Sequence, residues 1–214
     1  MVKVCGITEE RDAVEAVHLG VDALGFDLRP ASPRYVEPDL VHHIVSRLPV
    51  FVSTVGVFAD EPLIRVLETA RRAGVGILQF NGKESPSLCA GAAPYPWIRA
   101  FRVGPEFDED DLAYFKATTY LLDARRESTM STDAPFEWRR ARLLAMHGRI
   151  VIAGHLEPAN IGLAIEDARP YGVDLMSEVE IAPGKKDLDR LELLLEAVRR
   201  AERRIRGEGT ATTS

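Results

Sequence analysis

Eight short runs of β-branched and aliphatic residues, each followed by a stretch with helical spacing, predict a closed (β/α)8 barrel, the TIM-barrel class of α/β fold, as a single compact domain. Regular alternation is the first observation behind this, since it points to a parallel sheet covered by helices. The second is length: 214 residues lies just above the ~200 that the most compact barrels of this kind need. The third is the turn after the first run. An open doubly wound sheet usually carries a glycine-rich phosphate turn there, and this chain has Cys5-Gly6-Ile7-Thr8 instead.

Taken in order, Val2-Lys3-Val4-Cys5 reads as the first strand and 9–19 as its helix. The second unit pairs a strand at 23–28 with a helix at 38–47, and the third a strand at 51–57 with a helix at 62–73. Strands at 77–80, 97–102 and 119–122 lead into helical stretches at 85–90, 106–116 and 138–146, and strands at 150–153 and 173–176 lead into 158–168 and 187–205. In the last stretch Leu188, Leu191, Leu195, Val198 and Ile205 share one face, with Glu192, Glu196, Arg199 and Arg203 on the other. The barrel is expected over residues 1–206. From Gly207 onward Gly, Thr, Ala and Ser prevail without hydrophobic anchors, which predicts a disordered tail over 207–214.

Composition excludes several classes. With 46% hydrophobic and 28% charged residues the chain can bury a full core. A net charge of -6 argues against a general nucleic-acid or anionic-membrane surface. No apolar run reaches the ~18 residues of a membrane span, and no secretory leader precedes the first strand, so a cytoplasmic location is expected. Two cysteines, Cys5 and Cys89, cannot form a disulfide framework and are read as reduced.

In a barrel of this class the active residues sit where strands end. That rule selects Cys5, Arg34, Asn81, Asp123, His155 and Glu178. Taken singly, each has a bland reading. A cysteine at a strand end is commonly a small packing residue, Asp123 could serve as a helix cap, and Arg34 could be an exposed loop arginine.

The segments Val2-Lys3-Val4-Cys5-Gly6-Ile7-Thr8, Gly20-Val21-Asp22-Ala23-Leu24-Gly25-Phe26, Ser32-Pro33-Arg34-Tyr35-Val36, Val55-Gly56-Val57-Phe58 and Leu121-Leu122-Asp123 form a more specific pattern. Phe136-Glu137-Trp138, Pro158-Ala159-Asn160, Gly172-Val173-Asp174 and Pro183-Gly184-Lys185-Lys186-Asp187 continue it. In this order and spacing the chain resembles phosphoribosylanthranilate isomerase, the tryptophan-pathway barrel enzyme, over nearly its whole length. The resemblance implies an Amadori rearrangement: an aromatic aminoaldose phosphate opens its ring, loses a proton from C2 and becomes a 1-amino-1-deoxyketose phosphate. It places the general base on Cys5 and the general acid on Asp123. A thiolate can accept a proton from carbon and a carboxylic acid can protonate the departing ring oxygen, so both groups need tuning by their surroundings. Arg34 matches the arginine associated with the anthranilate carboxylate, a role suited to a planar guanidinium. One acid and one base suffice, so neither a cofactor nor a metal is implied. The expected partner is a small-molecule aminosugar, and related enzymes occur as monomers and homodimers.

The pattern breaks at the phosphate end. The family cradles phosphate on backbone amides of glycine-rich loops after strands six to eight, where a missing Cβ lets the main chain approach an anion. Here the loops read Thr129-Met130-Ser131-Thr132-Asp133, Ala153-Gly154-His155-Leu156 and Met176-Ser177-Glu178-Val179-Glu180, with His155 and Glu178 in place of glycines. Asn81 replaces a histidine, and the six selected positions divide into a catalytic pair, Cys5 and Asp123, and a substrate-binding group, Arg34, Asn81, His155 and Glu178. A carboxylate beside a dianionic phosphate costs several kcal/mol at ~4 Å and intermediate dielectric, although a protonated His155, Arg125 or Arg126 would offset part of it. Strands seven and eight lie ~4.8 Å apart, so His155 and Glu178 are expected to pair. Such a pair could hold a hydroxyl or amine, orient a second acid/base group, join Asp27 at a metal, or fill an abandoned pocket as an inert ion pair. Three functions are compatible with these residues. The leading one is an isomerase of the resembled type with altered specificity at the phosphate end, its substrate carrying a phosphate or not. The others are a barrel enzyme of another reaction class using His155 and Glu178, and a non-catalytic binding homologue.

Overall fold

The computed structural model describes residues 1–104, 107–124 and 138–207. Eight parallel strands close a barrel in chain order: β1 (Val2–Cys5), β2 (Ala23–Asp27), β3 (Ser53–Phe58), β4 (Ile77–Phe80), β5 (Trp97–Arg102), β6 (Thr119–Asp123), β7 (Arg149–Ala153) and β8 (Gly172–Leu175). Around them run α1 (Glu10–His18), α2 (Pro38–Val45), α3 (Leu63–Ala73), α4 (Pro86–Ala90), α5 (Asp110–Phe115), α6 (Trp138–Leu144), α7 (Ile161–Ala168) and α8 (Leu188–Ile205). The expected (β/α)8 class is what the chain adopts.

Local chemistry places several boundaries. Pro86 stands in the first turn of α4 behind Ser85, whose hydroxyl accepts the Leu88 N–H, and Asp187 accepts from the Arg190 N–H at the start of α8. Gly74 ends α3 at φ +71°, a left-handed conformation that costs glycine little. Strand alternation then sorts the side chains. Val2 and Val4 join the large apolar layer between sheet and helices, which also holds Phe26, Leu78, Leu122 and Ile152. Inside the barrel lies a second, small apolar group of Ala100, Leu121, Val151 and Ala153.

Three departures from expectation have local causes. The third strand begins at Ser53, because the Val52 N–H turns back to the Pro49 carbonyl and leaves Phe51 96% exposed. Asp123 belongs to β6 itself, pairing with Ala153 on β7. A hairpin that periodicity did not reveal, β9 (Glu180–Ala182) with β10 (Lys185–Lys186), turns at Gly184 with φ +83°. The expectations for Glu106, for the loop at 129–133 with Arg125 and Arg126, for 136–137 and for the tail at 208–214 lie outside the described residues.

The hairpin is held by Glu180, whose carboxylate accepts from Lys186 Nζ at 2.9 Å, Arg34 Nη2 at 2.6 Å and the Gly184 N–H at 3.1 Å. Thr8 adds a hydroxyl bond to the Gly184 carbonyl at 2.6 Å. Burial disfavours charge on Glu180, but the hydrogen bonds from Arg34 and Lys186 outweigh it and hold its carboxyl below the ordinary range. A depressed carboxylate contributes stability that is present above its unfolded pKa of ~4.3 and is lost as pH falls through the lower folded value. Glu180→Ala, which strands the buried Lys186 and the partly buried Arg34, is expected to cost about 3 kcal/mol in urea unfolding at neutral pH. The gap to wild type should narrow as pH drops below ~4; a gap independent of pH would disprove the charge assignment.

Candidate active site

Cys5 closes β1 and is 6% exposed. Two glycines make room around it. A Cβ on Gly25, its register partner on β2, would lie 2.7 Å from the Cys5 sulfur and 3.1 Å from Lys3 Cε. A Cβ on Gly6, at φ +76°, would lie 2.8 Å from Arg34 Cδ. Burial pushes the Cys5 thiol up, with the Lys3 ammonium pulling the other way and the Asp174 carboxylate adding to the rise. Lys3 itself sits inside the barrel with Nζ 2.9 Å from both oxygens of Asp174. Burial works against its charge, yet Asp174 and Cys5 hold its pKa above the ordinary value.

Asp123 closes β6, three strands from β1 by the shorter way round the barrel, and is 8% exposed. It stands between Arg102 on β5 and Ala153 on β7 in the sheet register. Cys5 and Asp123 thus both end strands at the same mouth.

Arg34, read as a loop arginine or a carboxylate binder, is only 16% exposed along its side chain. Its Nε and Nη2 grip Glu180, and Glu180 and Lys186 tie the mouth of β1 to the hairpin, where Lys186 Nζ also donates to the Cys5 carbonyl at 2.6 Å. Sequence reasoning missed Lys3, Asp174, Glu180 and Lys186. Lys3 and Asp174 were the readable signal, since charged residues inside otherwise apolar strand runs need a buried partner.

Asn81 follows β4, its N–H bonded to the Phe58 carbonyl and its Oδ1 accepting from Gln79 Nε2 at 3.0 Å. The loop beneath it is anchored by the buried Arg99–Glu84 pair at 2.8 Å, with Arg99 Nη2 also bonded to the Gly82 carbonyl. Asn81 is exposed, on a different sector of the mouth from Arg34.

His155 and Glu178 do come together, through the main chain of His155. Its N–H donates to Glu178 Oε1 at 2.8 Å, and the Met176 N–H donates to Glu178 Oε2 at 3.1 Å. Each carboxylate oxygen thus takes one backbone amide, from just past β7 and β8 respectively. His155 holds φ +52°, a left-handed conformation that favours glycine, and Asn160 Nδ2 donates to its carbonyl at 2.7 Å. Asp27, the third group weighed for a metal, accepts from Arg29 Nε and Nη2 and from the Ser32 hydroxyl. Among the described residues no three His, Cys, Asp or Glu side chains gather to hold an ion.

The family model for N-(5'-phosphoribosyl)anthranilate (PRA) isomerase matches residues 2–197. A Pelobacter propionicus N-(5'-phosphoribosyl)anthranilate isomerase is 44% identical over 187 residues, 87% of this chain and 89% of the relative. Among solved structures, the Thermotoga maritima phosphoribosylanthranilate isomerase superposes with a TM-score of 0.85 at 35% identity, covering 92% of this chain and 98% of that one. The Thermus thermophilus enzyme gives 0.83 at 36%, covering 93% and 98%. Barrel, strand-end cysteine and aspartate, and these matches across almost the full length together make the chain a member of the N-(5'-phosphoribosyl)anthranilate isomerase family, an aldose–ketose isomerase of tryptophan biosynthesis.

Proposed function

We propose that the chain catalyses the Amadori rearrangement of an N-aryl aminopentose with Cys5 as general base and Asp123 as general acid. The observation that carries this reading is the placement of a buried thiol and a buried carboxyl at the ends of β1 and β6, on one mouth of a barrel of this family. Asp123 gives its proton to the ring oxygen as the C1–O bond breaks, leaving an iminium. The Cys5 thiolate then takes the C2 proton, the C–H electrons form the enamine, and ketonisation returns a proton to C1 as the C2 hydroxyl loses its own. Glu180 fixes the Arg34 guanidinium through Nε and Nη2, and its remaining Nη1 donors are assigned to a second carboxylate, that of the aryl ring. A related phosphoribosylanthranilate isomerase structure, 35% identical, is a complex with reduced 1-(o-carboxyphenylamino)-1-deoxyribulose 5-phosphate, which carries a carboxyaryl group. No described helix is long and apolar enough to cross a membrane, which supports a cytoplasmic place for the enzyme.

At the sugar's far end the specificity is altered. Glu178 fills two amides with its own carboxylate, so an incoming phosphate meets both an occupied cradle and a like charge. The substrate favoured by this corner carries an uncharged 5' group, which a carboxylate accepts as a hydroxyl donor. Asn81 and the His155 ring complete the sugar-binding side of the mouth.

Cys5→Ala and Asp123→Asn are each expected to lower kcat about 10²–10⁴-fold with the fold retained by circular dichroism; activity near wild type in either would discard the assigned pair. Because the thiol is pushed up, the residual kcat/KM of Asp123→Asn, in which no acid has to stay protonated, should climb about tenfold per pH unit from neutral toward alkaline pH until Cys5 ionises, and a flat profile in that variant would contradict the thiolate base. Glu178→Gly should move the ratio of kcat/KM for phosphorylated over dephosphorylated N-aryl aminopentose about 10–100-fold toward phosphate, with His155→Gly/Glu178→Gly moving it at least as far. An unchanged ratio defeats the altered-specificity reading. Complementation of an isomerase-deficient tryptophan auxotroph by wild type, matched by both Glu178 variants, would defeat it equally.

A further inference from the structure

The Lys3–Asp174 pair takes no part in the proton transfers above. Its two members are direct register partners on β1 and β8, their side chains 7% and 8% exposed. Stability alone explains such a pair poorly, because desolvation offsets most of the attraction and a well-packed apolar pair commonly does as well. Apolar packing is what the barrel uses nearby, at Ala100, Leu121, Val151 and Ala153.

A second observation gives the pair a task. Lys3 and Cys5 are two residues apart on one strand and point to the same face. Beside Gly25 the two meet: the point a Cβ there would occupy lies 2.7 Å from the Cys5 sulfur and 3.1 Å from Lys3 Cε, so the missing side chain keeps open a space that the sulfur and the lysine stem share. A thiolate in a dry site needs a cation. The charged groups facing Cys5 are Lys3 on β1, Asp174 on β8, Asp27 on β2 and Lys186 on β10. Asp27 is bound by Arg29, and Lys186 is directed to the Cys5 carbonyl and to Glu180. Lys3, on the same strand face and sharing the Gly25 space with the sulfur, is therefore the cation left beside it.

We propose that Lys3 is a positioning residue whose ammonium is the counter-charge of the Cys5 thiolate, held against the sulfur by Asp174. When the thiolate takes the C2 proton, it becomes a neutral thiol and Lys3 stays protonated against Asp174, so no further proton moves. The assignment rests on Cys5 as the base for its kinetic consequence, though not for the charge pairing itself.

The test is a titration of ultraviolet thiolate absorbance in a Cys89→Ser background, run beside the pH profile of the residual kcat/KM with Asp123→Asn added, whose acid limb Cys5 alone sets. Lys3→Met removes the counter-charge and leaves Asp174 repelling the thiolate, so at a pH below the midpoint the thiolate fraction should fall about tenfold or more. Asp174→Asn keeps an amide oxygen to hold Lys3 while removing the opposing charge, so the fraction should rise. Lys3→Met/Asp174→Asn buries no charge and guards against a misfolded single variant; its midpoint should lie above wild type and below Lys3→Met. Midpoints in that order support the proposal, and a shift of the kinetic acid limb in step extends it to catalysis. Ordered midpoints with a kinetic limb that stays put overturn the reading of Cys5 as base instead. A folded double variant with the wild-type midpoint, or an upward shift in Asp174→Asn, overturns the counter-charge.

Discussion

Closure of the barrel along the β1–β8 seam is the constraint on which the site depends. The seam pairs Val2 with Val173, Lys3 with Asp174 and Val4 with Leu175, joining residues 171 positions apart. Buried without one another, Lys3 and Asp174 would each carry an unpaired charge at a penalty of several kcal/mol. Closed, they neutralise one another beside the Cys5 thiol. The same closure brings the β8 loop and its hairpin over the end of β1, where Lys186 reaches the Cys5 carbonyl.

Two carboxylates two residues apart then take opposite tasks. Val179, fully buried between them, ends the short helical turn Ser177–Val179 that carries Glu178, and Glu180 opens β9 directly after it. Glu180 points to cations and organises Arg34 and Lys186. Glu178 points to backbone amides of His155 and Met176. In the proposed reading the first preserves recognition of the aryl carboxylate, and the second replaces an external anion by an internal one. Reaction type and substrate end are thereby separated: the base at β1 and the acid at β6 are untouched by a change confined to the β7 and β8 loops.

The eight strand–helix units were legible because each is written in local periodicity, and seven of the eight strand starts lie within a residue of the sequence reading. The third was misplaced because Val50 and Phe51 look like strand residues while a turn at Pro49 leaves them outside the sheet. The β9–β10 hairpin was missed because strands of three and two residues have too few positions to show alternation. At the site, Cys5, Asp123 and Arg34 were legible as types at strand ends and loops. The expected meeting of His155 and Glu178 was correct in its members and incomplete in its chemistry, since a backbone donor leaves no trace in residue identity.

By itself the sequence determined the barrel, its family, and which residues close β1 and β6, because hydrophobic period and residue type are properties of consecutive positions. Tertiary structure alone decided which charges meet. That Lys3 faces Asp174, that Glu180 holds Arg34, and that Glu178 occupies two amides all result from bringing distant segments together in a low-dielectric interior, where partnership sets the cost of each charge.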